Sequence, residues 1–104
     1  MSENQVISSY KTIVRCTEDN RIEVVFHKTT VVKVDEKEIL LDTGDWWTRT
    51  TKSRMNQASQ QFNLEYRVFA KKDTWYVEYQ GKQHEFAESP IRLNRANGEV
   101  ISQN

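Results

Sequence analysis

The feature that most constrains the fold is a change of period in the middle of the chain. Up to Leu41 apolar and polar residues alternate, whereas between Leu40 and Phe62 the apolar residues recur at helical spacing. Within that stretch Trp47, Met55, Ala58 and Phe62 follow one another at intervals of eight, three and four, which lines one face of a helix from about Thr50 to Asn63. The opposite face carries Arg, Lys, Ser, Asn and Gln. Thr48, Thr50 and Thr51 are each suited to cap the helix start, because a threonine hydroxyl can accept from an unpaired first-turn amide.

The flanking segments read as antiparallel ribbon. Val6 to Cys16 lean toward strand and end in the turn-forming cluster Thr17-Glu18-Asp19-Asn20. Ile22, Val24 and Phe26 alternate with Arg21, Glu23 and Val25, Val32 and Val34 continue one face, and Asp35 to Glu38 make a charged turn before Ile39-Leu40-Leu41. Beyond the helix, Tyr66, Val68 and Ala70 lead through a Lys72-Asp73 turn to Trp75, Val77 and Tyr79. Gly81-Lys82 reads as a type II′ hairpin loop, a register that pairs Val77 with Phe86 and Tyr79 with His84. Pro90 then breaks the ladder, Ile91 and Leu93 add an edge strand, and Asn97-Gly98 turns into a short tail. The expectation is a single α+β domain over residues 1–104, an antiparallel meander, curled sheet or partial barrel with one central helix on one face.

Composition excludes several function classes. Lys plus Arg and Asp plus Glu number 15 each, so no global basic excess advertises nucleic-acid binding and any such surface must be local. With Cys16 as the lone cysteine, no Asn-x-Ser/Thr acceptor and no signal-peptide order at Met1 to Gln5, a reducing cytoplasm is the expected location. The longest apolar runs, Val24 to Phe26 and Ile39 to Leu41, are far too short to span a membrane. His27, His84 and Cys16 have no metal-ligand spacing, three scattered glycines make no phosphate loop, and no cofactor signature occurs.

Three features invite a functional reading. Arg49, Lys52 and Arg54 stand in the first helical turns without an acidic neighbour there, although cations are disfavoured at that end of the helix dipole. With threonine hydroxyls and free amides they would hold a phosphate or another anion; the ordinary alternative is that Asp42 and Asp45 neutralise them as surface pairs. Adjacent Trp46 and Trp47 cannot both enter the same core in most backbone conformations, which leaves one partly exposed as a contact, with Trp47 the stacking or anchoring group; the ordinary alternative is that both pack, one under the helix and the other over the sheet. Lys71 and Lys72 form a second cationic patch at a hairpin tip. These residues imply a non-enzymatic binding domain whose partner is a host protein, a second copy through the edges Val31 to Val34 or Ile91 to Leu93, or nucleic acid.

Leu40-Leu41-Asp42-Thr43-Gly44 resembles the active-site signature of retroviral-type aspartic proteases, which implies a dimer sharing a proton between two Asp42 side chains. No glycine-rich flap follows, and basic helix-forming sequence stands where strands belong; the alternative is a turn between strand and helix. More broadly, Thr29 to Val32, Ile39 to Gly44 and Trp47 to Ala58 resemble small proteins of tailed bacteriophages, marine ones included. The likeness extends through Phe62, Tyr66-Arg67-Val68 and Trp75-Tyr76-Val77, about two thirds of the chain, with Asp45 and Trp46 departing from a glycine-rich turn. The resemblance implies synthesis in a bacterial cytoplasm and attaches no activity to any residue.

Overall fold

The computed structural model describes residues 11–19 and 21–103. Strands β1 (Thr12–Cys16), β2 (Ile22–Phe26), β3 (Thr29–Val34) and β4 (Glu38–Leu41) precede helix α1 (Arg49–Gln61). After it come β5 (Tyr66–Lys71), β6 (Thr74–Tyr79), β7 (Lys82–Glu85), β8 (Ile91–Asn94) and β9 (Val100–Gln103). The architecture is α+β but mainly β. The strands divide between two antiparallel sheets, β1-β2-β3-β4-β8-β9 and β5-β6-β7, where the sequence suggested one meander. The expected Val6 to Lys11 portion of the first strand lies mostly outside the described residues.

Alternation in β2, β3, β4 and β8 points Val24, Val32, Val34, Ile39, Leu41, Ile91 and Leu93 inward, and β5 and β6 contribute Tyr66, Val68, Trp75, Val77 and Tyr79. These side chains meet Met55 and Ala58 of α1 in one apolar cluster. Val31 and Val32, although adjacent, are both buried: the ladder steps from Val24↔Val32 to Val25↔Thr30, leaving Val31 as the extra residue of a bulge.

Helix α1 starts at Thr48, whose hydroxyl accepts from the Thr51 amide at 3.2 Å, selecting one of the three expected caps. It ends at Phe62, with Asn63 in the left-handed region and the Leu64 amide donating to the Ser59 carbonyl at 2.9 Å, the bond that closes a Schellman motif. Its supposed polar face is not all solvated. Asn56 makes two 2.8 Å bonds to Val68, one to its amide and one to its carbonyl, while Ser59 accepts from the Tyr66 amide and donates to the Tyr66 carbonyl. Two helix side chains thus satisfy the outer edge of β5 as a neighbouring strand would.

Four expectations are corrected. The β6–β7 loop is Gln80-Gly81, both at positive φ, so Tyr79 pairs with Lys82 and Val77 with His84. Ile91 and Leu93 are not at an edge, since β8 lies between β4 and β9, and the expected tail after Gly98 is strand β9. Val31 to Val34 are likewise interior, so neither segment offers a free edge to a second copy; among the described residues the edges of the large sheet are β1 and β9.

Candidate functional site

The connection from β4 to α1 fixes the position of the tryptophan pair. Asp42 donates its amide to the Val31 carbonyl, and its carboxylate oxygen Oδ1 accepts from the Gly44 amide and the Ser89 hydroxyl, each at 2.8 Å. The buried Thr43 carbonyl accepts from the Trp46 amide at 2.9 Å. Gly44 has φ +59, and a Cβ there would lie 2.5 Å from Thr29 Oγ1. Asp-Thr-Gly is therefore a tightly bonded turn into the helix.

That turn sends the two tryptophans into different surroundings. Trp47 sets its ring edge-on against Trp75 and Phe86, at 5.0 and 5.4 Å between centroids, and remains 38% exposed. Trp46 is 65% exposed. Each lines a separate groove: Trp47 one of about 360 Å³ with Trp75 and Phe86, Trp46 one of about 590 Å³ with Phe26, His27, Lys28, Thr48 and Thr50. The first also contains the carboxylates Asp73 and Glu85, whereas no described acidic residue lines the second.

The cations separate in the same way. Arg49 is exposed at the helix start. Lys52 holds its ammonium 5.4 Å from the Trp75 ring centre, on the Trp47 side. Arg54 is only 6% exposed: Nε donates to Thr12 Oγ1 at 3.0 Å and the guanidinium lies over Phe26, so it ties helix to sheet and is not a free surface charge. Lys71 and Lys72 are exposed at the β5–β6 tip, where Asp73 and Thr74 face the Trp47 groove. The expectation that Asp42 and Asp45 neutralise the helix-start cations is corrected, because among the described residues no ion pair joins them to Arg49, Lys52 or Arg54. The Asp42 oxygen that bonds Gly44 and Ser89 shows where its carboxylate is used instead.

The sequence singles out the tryptophan pair and the helix-start cations, with Trp47 as the contact; the structure sets Phe26, His27 and Lys28 beside Trp46. Nothing local marks these three, since they reach the helix start only through the β2–β3 turn. His27, at φ 57, occupies that turn, and its amide donates to the Lys11 carbonyl at 2.8 Å.

Residues 1–98 match the family described as Kyanoviridae Gp96 protein. The chain belongs to this cyanophage family. Membership agrees with the phage resemblance of the sequence. No curated protein and no solved structure matches the chain. Among the described residues of this Kyanoviridae Gp96 family member, no helix is long and apolar enough to cross a membrane.

Proposed function

We propose that the protein is a small non-enzymatic binding module, acting in the host cytoplasm, that contacts nucleic acid through the start of α1 and the tryptophan beside it. The single observation that carries this reading is Trp46: a large aromatic left 65% exposed next to a cationic helix start that no described carboxylate pairs. Burying a large apolar side chain is worth roughly 1.5–3 kcal/mol, so its exposure forgoes stabilisation that a contact role would explain. Lys28 lines the groove beside Trp46, and Arg49 is exposed at the helix start. Two or three phosphate contacts with a single strand would make log affinity fall against log salt with a slope of about −1.4 to −2.1. A salt titration of DNA binding tests this: a slope in that range, reduced by Arg49→Ala, supports the reading, and binding insensitive to salt contradicts it.

Self-association is a second reading, favoured by edge strand β1, where Ile13 is 54% exposed and Val14 is also uncovered. Light scattering that finds only monomer at high concentration would remove it.

A further inference from the structure

Two grooves flank the helix start, and their chemistry differs. The Trp47 groove carries Asp73 and Glu85, which repel phosphate, and its tryptophan is already engaged by Trp75 and Phe86. In the Trp46 groove Phe26 and His27 stand with ring centroids 4.4 Å apart, Lys28 supplies an ammonium and Thr50 a hydroxyl, while the Thr48 hydroxyl is engaged as the helix cap. Behind Phe26 the Arg54 guanidinium, 5.2 Å from the ring centre, adds positive potential without being free to leave. The volume of about 590 Å³ falls within the range of ligand clefts, roughly 300–1,000 Å³.

From this contrast we infer that the Trp46 groove takes an unpaired base of a single-stranded nucleic acid, stacked on the Trp46 indole, with the adjoining phosphate held by Lys28. The inference rests on the nucleic-acid reading above and narrows it. A base offers its flat face to a protein ring only when it is not stacked inside a duplex, so an exposed indole in an open groove selects single strands. Aromatic walls accept any base, and discrimination among sequences is correspondingly weak. Positive charge without a lining carboxylate matches the phosphate backbone that flanks an unpaired base.

The test is fluorescence anisotropy of labelled short oligothymidylate, oligouridylate and a duplex of equal length with the full chain at low salt. Single strands should bind roughly tenfold or more tighter than duplex, and Trp46→Ala should weaken single-strand binding by a similar factor while Trp46→Phe retains most of it. Lys28→Ala should lessen the salt slope by about 0.7. Because both side chains are outside the core, unchanged thermal melting of the variants confirms that folding is intact. Equal binding of single strands and duplex, weakened alike by Trp46→Ala and Arg49→Ala, would overturn the inference and leave the broader reading standing. Absence of binding to every oligonucleotide would overturn both.

Discussion

Arg49 and Arg54 are the same residue type five positions apart, yet they have different jobs. Arg54→Ala removes a buried bond to Thr12 and the contact with Phe26, and should cost about 2 kcal/mol in chemical denaturation, whereas Arg49→Ala should change stability by less than about 0.5 kcal/mol. Glycines separate similarly. Gly81→Ala meets nothing within 4 Å and should cost only the left-handed conformation, about 1–2 kcal/mol, while Gly44→Ala adds a clash with Thr29 and should cost clearly more. At Asp35 the amides of Glu38 and Lys37, each donating to Oδ1 at 2.8 Å, hold the carboxyl below its ordinary value of 3.8. A depressed folded value gives stability that is complete above 3.8 and is lost as pH falls through the lower folded value. Asp35→Asn should therefore flatten the acid limb of a stability–pH curve, and an unchanged limb would refute that role. At this scale the sequence revealed the core positions of the alternating strands, because burial there follows period alone. It did not separate Arg49 from Arg54, since which helical cation is covered depends on β1 and β2 arriving from elsewhere in the chain.

Among the elements, the docking of α1 on β5 was the least legible, because Asn56 and Ser59 look like solvated residues until their partners are known. They replace the missing neighbour of an edge strand, so removing them leaves polar backbone groups of Tyr66 or Val68 without their bonds. Asn56→Ala and Ser59→Ala should each destabilise by about 1–3 kcal/mol, and Asn56→Ala should speed hydrogen exchange at the Val68 amide. Protection unchanged at that amide would show that α1 does not cover the edge. The helix itself was visible from its period, with its start one residue early and its end two residues short of expectation. The hairpin of β6 and β7 was visible too, but its register slipped because one glycine fits either the first position of a type II′ loop or the second of a type I′ loop. Gln80, accepting φ 52 in the first position, settled it as the latter.

Over the whole molecule, the two sheets are joined at their hairpin tips as well as through the core. Lys82 bonds the Asn97 carbonyl and the Glu99 carboxylate, Gln80 donates to the Arg95 carbonyl, and His84 Nε2 lies 2.8 Å from the Gly98 carbonyl. This contact braces the β6–β7 tip against the β8–β9 tip, while the β4–α1 turn and the β2–β3 turn together form the Trp46 groove. Such a division between sheets could not be read from strand patterns, which report period and not which strands pair. The groove was equally hidden, being assembled from turns about twenty residues apart in sequence. The most direct test of the nucleic-acid account is an amide and indole NMR titration of the labelled protein with short oligothymidylate. The account predicts shifts concentrated at 26–29 and 46–50, including the Trp46 indole, and growing weaker as salt is added. Shifts centred on Asp73, Trp75 and Glu85, or none at all, would contradict it.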